Sequence, residues 1–267
     1  MSLKNIMKDG FFFILAADHR ESLKRLLNTQ DEKEIIRVKK NLANVLSPHA
    51  SGFLLDPVYG AKAIDEVKSG LILSREKSGY VGRDDNRKTV LLDDWDAGKL
   101  KDLGADAIKL LIYYNPEKSA RGHQEKLVRK VSQECKRENI PLICEFSLYG
   151  VEENRDLYIV KSAERISKLG IDVLKTEAPS TLRNCRKLTK RIKVPWIVLS
   201  GGKEYDEFKK SVEIACKGGA SGFAGGRAIW QDTIKDEKLL KTVSVERLKE
   251  LSEIVKDNGN PLVIKNL

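Results

Sequence analysis

The sequence predicts an α/β protein, a single (β/α)8 TIM barrel that spans residues 1–267. Two observations carry this prediction: eight short apolar runs alternate with amphipathic segments of helical spacing, and polar residues collect where the runs end. Near-continuous apolar strands that alternate with helices are typical of a parallel sheet covered on both faces. Eight such units in about 250 residues match a barrel. An open doubly wound sheet is the alternative, and the lack of a GxGxxG motif after the first run disfavours it.

The eight predicted strands are residues 11–18, 51–58, 70–76, 105–114, 140–149, 171–178, 195–202 and 220–227. Between them lie helical patterns such as residues 154–170, where apolar residues recur at helical spacing and Gly170 is suited to the C-terminal cap. The third strand is the least regular, because a long polar loop, residues 74–94, follows it. We expect this loop to lie over the top of the barrel as a lid.

The composition, with 41% hydrophobic and 33% charged residues, is typical of an ordinary soluble globular protein. The net charge of +10 is compatible with nucleic acid, a membrane surface or anionic small molecules. Because the basic residues alternate with acidic ones on helical segments, they are more typical of solvated helix faces than of a binding stripe. The N-terminal apolar run is interrupted at Asp18, so it is neither a signal peptide nor a membrane span.

The four cysteines lie far apart, with no CxxC pair and no metal-like grouping with the three histidines. They indicate reduced, mostly buried thiols in a cytoplasmic protein. We therefore predict no metal and no cofactor.

Polar residues interrupt or end the apolar runs at one end of the predicted barrel. In such barrels the chemistry lies at the C-terminal ends of the strands. The residues at this end are Asp18, Arg20, Asp56, Lys109, Glu145, Lys175, Ser200 and Arg227. They are the first candidates for an active site.

Lys175 and Lys109, each inside a predicted strand, indicate amine chemistry. A lysine with the usual pKa of about 10.4 has roughly one neutral amine in 2,500 at pH 7. Burial and a neighbouring cation, here Lys109, lower that pKa toward the value of about 7 to 8 that suits a Schiff-base lysine. Glu145, on the strand next to that of Lys175, supplies the proton transfer that imine chemistry needs. A buried structural ion pair between Lys109 and Glu145 is the alternative.

The last two strands end in glycine turns, each followed by a predicted helix. The first turn contains Ser200, Gly201 and Gly202, and the second contains Gly225, Gly226 and Arg227. Glycines let backbone N–H groups approach an anion, and loops after strands seven and eight commonly hold phosphate in barrels. The two turns together predict a phosphate site, to which Arg227 adds a planar donor pair.

Seven segments in order resemble the class I tagatose-1,6-bisphosphate aldolase family, which includes the sulfofructose-phosphate aldolases. They are LAADHRESLKRLL, FLLDPVYG, GADAIKLLIYYNPE, LICEFSLYG, DVLKTEAP, WIVLSGG and GFAGGRAIWQD, between about residues 10 and 232. The resemblance implies a metal-free barrel that cleaves a phosphorylated ketose through a Schiff base, to dihydroxyacetone phosphate and an aldehyde.

The resemblance also implies a role for each candidate residue. Lys175 forms the imine, with Lys109 beside it, and Glu145 is the acid/base. The turn from Ser200 to Gly202 and Arg227 hold the phosphate of the dihydroxyacetone half. Asp18 and Arg20 contact substrate hydroxyl groups.

Two positions depart from the family pattern. His19 stands where the family motif reads Asp-Gln-Arg, and Thr176 stands where an aliphatic residue is common. These departures leave open whether the far end of the substrate carries a phosphate, a sulfonate or neither. The basic candidates for that end are Arg20, Arg83, Arg87 and Lys203.

Two other functions stay open at this stage. The first is a metal-free sugar-phosphate isomerase or epimerase, with Glu145 as base and Lys109 as electrophile. The second is a non-catalytic nucleic-acid-binding or regulatory barrel. For the aldolase we expect a phosphorylated or sulfonated sugar as partner, a homo-oligomer, and no nucleic acid or membrane.

Overall fold

A computed structural model describes residues 2–263, and within them eight parallel strands close into one barrel in sequence order. The strands are β1 Phe12–Ala16, β2 Gly52–Leu55, β3 Gly70–Ser74, β4 Ala107–Tyr114, β5 Leu142–Leu148, β6 Val173–Thr176, β7 Trp196–Leu199 and β8 Gly222–Gly225. The prediction of a single TIM barrel is confirmed. The outermost positions of the predicted domain, 1 and 264–267, lie outside the described residues.

The interior of the barrel is filled by every second residue of each strand. Ile14, Leu54, Ile72, Ile143 and Ile197 belong to this inner cluster. Because side chains alternate across a strand, the next inward positions toward the C-terminal ends fall at the mouth of the barrel. The polar residues of β4, β5 and β6 occupy those positions, so the pleat that fills the core also aims the site inward.

Helices cover the outside of the barrel. They are α1 Glu21–Leu27, α2 Glu32–Leu46, α3 Ala97–Asp102, α4 Arg121–Arg137, α5 Arg155–Ile166, α6 Leu182–Arg191, α7 Tyr205–Lys217, α8 Arg227–Trp230, α9 Glu237–Leu239 and α10 Val245–Asn258. The connection from β2 to β3 departs from the regular pattern, because it forms only the 3-10 helix Gly60–Glu66, which packs on α2. As predicted, the helical segment through α5 ends at Gly170 in the left-handed conformation, with φ of 89°.

Local chemistry explains where several helices begin. Asp31 precedes α2 and accepts a hydrogen bond from the backbone N–H of Lys33, while Thr181 precedes α6 and accepts from that of Asn184. All four cysteines are free and buried, as expected. No helix within residues 2–263 combines the length and the apolar character needed to cross a bilayer.

The polar loop after β3 lies beside the mouth of the barrel, where Ser78 and Gly79 border its opening. Two antiparallel bridges, Glu76 with Leu91 and Val81 with Lys88, hold the two arms of the loop side by side. Tyr80 in this loop packs edge-on against Tyr113 of β4, with ring centroids 4.9 Å apart. The loop therefore covers one side of the opening.

Candidate active site

A cluster of two lysines and three carboxylates lies at the C-terminal ends of β1 and β3 to β6. The Nζ of Lys109 is 2.8 Å from Asp18 Oδ2, 2.7 Å from Glu76 Oε1 and 3.3 Å from Glu145 Oε2. Lys175 Nζ lies 2.9 Å from the same Glu145 oxygen. One carboxylate oxygen of Glu145 therefore contacts both amines.

Strand register explains how the sequence builds this cluster. Glu145 of β5 lies directly opposite Lys175 of β6, and Lys109 of β4 lies opposite Ser74 of β3. Parallel neighbours in register present their side chains to the same face. Glu145 and Lys175 thus project into the barrel mouth from paired positions, and Lys109 projects from a position paired with Ile143, two residues before Glu145.

Glu76 is a residue of this cluster that the sequence analysis missed. It is 4% exposed, and its Oε2 also accepts a hydrogen bond from the backbone N–H of Leu111 at 3.0 Å. Alternation offered a signal, because Ile72, Ser74 and Glu76 share one face of β3 and its extension. The irregular loop that starts there hid it.

The charges in the cluster stabilise each other. Burial alone would raise the pKa of Asp18, but the ammonium of Lys109, with His19 and Lys175, holds it well below its usual range. Burial likewise raises the pKa of Glu145, yet Lys175 and Lys109 outweigh it and the net shift is downward. Burial lowers the pKa of Lys109, but Asp18, Glu76 and Glu145 together hold it well above its usual range. Lys109 therefore stays protonated at neutral pH. Its positive charge is balanced by three carboxylates, so it does not lower the pKa of Lys175 in the way the sequence predicts.

A cavity of about 480 Å³ opens above this cluster. Its walls include the cluster itself and the glycine turns that follow β7 and β8. The candidate residues that line it are Asp18, Arg20, Lys109, Glu145, Lys175, Ser200, Gly201, Gly202, Gly226 and Arg227. The structure thus brings together ten of the residues that the sequence singled out.

The glycine turns form the side of the cavity opposite the loop after β3. Gly201 and Gly202 have φ of 60° and 83°, a conformation that favours glycine. The guanidinium of Arg227 lies close to Gly202, and the hydroxyl of Ser200 accepts a hydrogen bond from the N–H of Gly226 at 3.4 Å. A Cβ on Gly226 would lie 2.9 Å from the His19 ring, so only glycine lets β8 approach the end of β1 here.

Gly225 does not belong to this surface, contrary to the prediction. A Cβ at this position would lie 2.4 Å from Ile229 Cδ1 and 2.9 Å from Phe208 Cε1, so the residue faces the surrounding helices. Its neighbour Gly226 faces the cavity instead, because alternate residues of β8 point to opposite faces. Glycine at position 225 serves helix packing.

Four other predicted residues also lie outside the cavity. Asp56 is fully buried against Lys39 of α2. Arg83 is exposed in the loop after β3, and the guanidinium of Arg87 stacks over Tyr80 and Tyr149. Lys203 donates to Ser211 Oγ and lines a separate groove of about 830 Å³ between α5 and α7. Of the basic candidates for a second anion site, only Arg20 reaches the cavity, and it also donates to the backbone oxygen of Glu76 at 2.5 Å.

His19 lines the cavity. Its ring packs edge-on against Trp230, with centroids 5.4 Å apart. Burial lowers its pKa to about 4; Arg227, Lys39 and Lys175 act in the same direction, and Asp18 opposes them. The imidazole is therefore neutral at pH 7.

We expect His19 to make stability depend on pH. Its pKa is about 6.5 in an unfolded chain, so between pH 6.5 and 4 the unfolded state binds a proton that the folded state does not. The free energy of unfolding consequently falls as the pH drops through this range. Urea denaturation at pH 7 and pH 4.5 should show a smaller loss for His19→Gln than for the unsubstituted protein. Equal losses would show that His19 is not held neutral.

The barrel carries a lysine–carboxylate cluster at the C-terminal ends of its strands, where the active sites of such barrels lie. The DeoC/LacD family aldolase model matches residues 12–232. The chain belongs to this aldolase family, whose members are lyases. Within residues 2–263 no group of three or more His, Cys, Asp and Glu side chains is arranged to hold a metal ion.

Curated relatives agree with this family, and solved structures agree with the fold. The chain is 30% identical to tagatose 1,6-diphosphate aldolase 2 of Streptococcus agalactiae serotype III (strain NEM316), over 94% of this chain and 93% of the relative. It is 28% identical to tagatose 1,6-diphosphate aldolase of Lactococcus lactis subsp. lactis, over 95% and 94%. The fold is similar to that of a Schiff-base-forming fructose-1,6-bisphosphate aldolase (TM-score 0.72, 22% identity, 95% of this chain and 97% of that one). An archaeal fructose 1,6-bisphosphate aldolase is also similar (TM-score 0.71, 20% identity, 96% and 97%).

Proposed function

We propose that this protein is a class I aldolase that cleaves a phosphorylated ketose, of the tagatose or fructose 1,6-bisphosphate type, to dihydroxyacetone phosphate and an aldehyde. The observation that carries the proposal is the contact of one Glu145 oxygen with both Lys175 and Lys109 at the barrel mouth. The names of the curated relatives support this substrate class, because they are tagatose 1,6-diphosphate aldolases.

The surroundings of the two lysines indicate which one is the nucleophile. Lys109 is in contact with three carboxylates, which hold its pKa well above the usual range. An amine that stays protonated has no lone pair for attack on a carbonyl. Lys175 contacts only the carboxylate of Glu145 among the ion pairs of residues 2–263, so a single proton transfer can free it.

The proposed reaction assigns each step to a side chain. Lys175 gives a proton to Glu145 and attacks the ketose carbonyl carbon. The attacking nitrogen then passes a proton to the alkoxide oxygen, and Glu145 protonates the resulting hydroxyl group, which leaves as water. The resulting protonated imine accepts the electron pair of the C3–C4 bond as that bond breaks, while a cavity carboxylate, Asp18 or Glu145, takes the proton of the C4 hydroxyl. The same carboxylic acid returns its proton to the enamine at C3, and water then releases dihydroxyacetone phosphate and restores Lys175.

Lys109 contributes a fixed positive charge to these reaction steps. Its ammonium lies between Asp18 and Glu145, the two carboxylates proposed to exchange protons with the substrate. A charge held in place by three partners needs no reorganisation when charge develops in the transition state. Lys109 therefore keeps these carboxylates ionised and oriented rather than acting as a second nucleophile.

The glycine turns are suited to the phosphate of the dihydroxyacetone half. Gly201, Gly202 and Gly226 bring backbone close to the cavity without side chains, and Arg227 adds a guanidinium beside them. Within residues 2–263 the Nε of Arg227 is buried and has no hydrogen-bond partner. An anion at this place would supply that partner.

The far end of the substrate would lie toward α1 and the loop after β3. Arg20, Arg25 and Lys77 line this part of the cavity. The Nε of Arg20 is buried and has no hydrogen-bond partner within residues 2–263. These cations suit a second phosphate, and a sulfonate is the alternative with the same charge requirement.

Product analysis tests the proposed function and its phosphate site. The unsubstituted protein should release dihydroxyacetone phosphate from tagatose or fructose 1,6-bisphosphate, measured with a coupled reductase assay. We expect Arg227→Ala to raise KM about 10- to 100-fold, because a charge-assisted contact to phosphate contributes about 1.5 to 3 kcal/mol. Arg83→Ala, outside the cavity, is the matched control and should change KM little. Absence of cleavage of any ketose phosphate would contradict the function, and an unchanged KM in Arg227→Ala would contradict the site.

A further inference from the structure

A fully buried ion pair lies outside the barrel wall, next to the end of β1. Lys39 on α2 and Asp56 at the end of β2 have 0% side-chain exposure, and Lys39 Nζ is 2.8 Å from Asp56 Oδ2. Lys39 shares its helix face with Ile35 and Leu42, which are core residues. A lysine on such a face needs polar partners, because an unpaired buried charge is very costly.

The remaining contacts of this pair lead to the active site. Lys39 Nζ donates to the backbone oxygen of Ala17 and, at 2.9 Å, to that of His19. These two residues flank Asp18, whose carboxylate contacts Lys109. The lysine therefore holds the chain on both sides of a residue of the lysine–carboxylate cluster.

Asp56 is itself fixed to the turn after β2. Its Oδ1 accepts hydrogen bonds from the backbone N–H groups of Val58 at 3.0 Å and Tyr59 at 2.8 Å. Asp56 is thus anchored at the end of β2, while Lys39 is bound to the end of β1. The pair links the ends of β1 and β2 through α2.

We propose that Lys39 and Asp56 are positioning residues that hold the end of β1 so that the Asp18 carboxylate meets Lys109. Neither residue lines the cavity, so both act through Asp18. The catalytic consequence rests on the proposed aldolase function, whereas the geometric one does not.

Stability alone is a weak explanation for this pair. The cost of removing two charges from water often cancels their attraction, and buried pairs replaced together by neutral residues are frequently tolerated. Fixed geometry at an active site is a separate requirement, since a misplacement of about 1 Å can cost about 100-fold in rate. The pair meets this second requirement directly.

The double variant Lys39→Met/Asp56→Asn tests the proposal. Both charges are removed, while the asparagine oxygen can still accept from Val58 and Tyr59. We expect kcat for ketose-phosphate cleavage to fall about 100-fold, as for other small misplacements, with little change in KM and with retained cooperative unfolding.

The pH profile distinguishes positioning from a general loss of structure. Asp18 faces Lys109 from β4 and Lys175 from β6, with His19 beside it, while Glu76 and Glu145 share Lys109. If the end of β1 moves, Asp18 loses part of the ammonium contact that keeps it ionised, so the acid limb of kcat/KM should shift to higher pH. An unchanged kcat and an unchanged acid limb in a folded double variant would overturn the proposal.

A double-mutant cycle adds a second readout. In an Asp18→Asn background the two substitutions should have almost no further effect on kcat for cleavage, because their target is already removed. A full additional loss in that background would contradict action through Asp18. If the double variant does not fold, Lys39→Leu/Asp56→Asn, which likewise leaves no unpaired buried charge, replaces it with the same kinetic and pH criteria.

A crystal structure separates this proposal from the proposed function. The Asp18 Oδ2 to Lys109 Nζ distance, 2.8 Å in the unsubstituted protein, should lengthen beyond hydrogen-bonding range in the variant. An unchanged distance would overturn the positioning role whatever the reaction is. Failure of the unsubstituted protein to cleave any ketose phosphate would contradict only the aldolase function.

Discussion

Lys175→Met is expected to abolish aldol cleavage and to prevent borohydride trapping of a substrate adduct. Methionine fills a similar volume but has no nucleophile, and loss of a covalent nucleophile typically costs on the order of 10⁴-fold or more in rate. The measurements are steady-state cleavage of the bisphosphate and the intact mass of the protein after borohydride treatment with substrate. The neighbouring Lys109 should not take over, because its three carboxylate partners keep it protonated.

Lys217→Met is the matched control for this experiment. Lys217 lies on the outside of α7 and pairs with Glu213 one helical turn away. The same chemical change at this surface position should leave cleavage and trapping intact. Substantial turnover of a sugar phosphate by Lys175→Met would contradict the aldolase mechanism and favour the isomerase or epimerase with Glu145 as base.

Glu145→Gln is expected to lower kcat by about 10²- to 10⁴-fold, the usual contribution of general acid–base catalysis. Glutamine keeps the shape of the side chain but cannot relay protons between Lys175 and the substrate. Imine formation should slow along with overall cleavage. Its rate is measured by rapid mixing with substrate and quenching with borohydride. Substrate binding should be less affected, because the phosphate groups are expected to contact other residues.

Glu177→Gln provides the comparison for Glu145→Gln. Glu177 lies just after β6 and accepts hydrogen bonds from Arg155 on both carboxylate oxygens, at 2.8 and 2.7 Å. Both residues line the groove between α5 and α7 rather than the cavity. The same substitution there should change kcat by no more than about threefold, as is common away from a reacting centre. A Glu145→Gln variant as active as Glu177→Gln would remove Glu145 from the mechanism.

The strand pattern predicted most of the fold and the centre of the site. Eight apolar runs became eight strands, and alternation placed Lys109, Glu145 and Lys175 on the inner face. The same rule, applied further, also separates Gly226 from Gly225 and identifies Glu76. Alternation therefore predicts which side chains point into the barrel for more residues than the first candidates.

Other features depend on tertiary packing that periodicity does not describe. Lys39 reads as an ordinary helix lysine, and its partners are two backbone oxygens and a carboxylate from other segments. Arg83 and Arg87 lie in a loop whose path is set by its own bridges and by the stacking of Arg87 on tyrosines. Such contacts require the positions of neighbouring segments, which the local sequence does not encode.

The identity of the imine-forming lysine is tested most directly by trapping and peptide mapping of the unsubstituted protein. Borohydride reduction with dihydroxyacetone phosphate should produce one stable adduct, and modification of Lys175 would block trypsin there and leave residues 169–183 as one modified peptide. An adduct on residues 102–118, the peptide with an uncleaved Lys109, would show that Lys109 rather than Lys175 is the nucleophile. No adduct at all would contradict the Schiff-base mechanism.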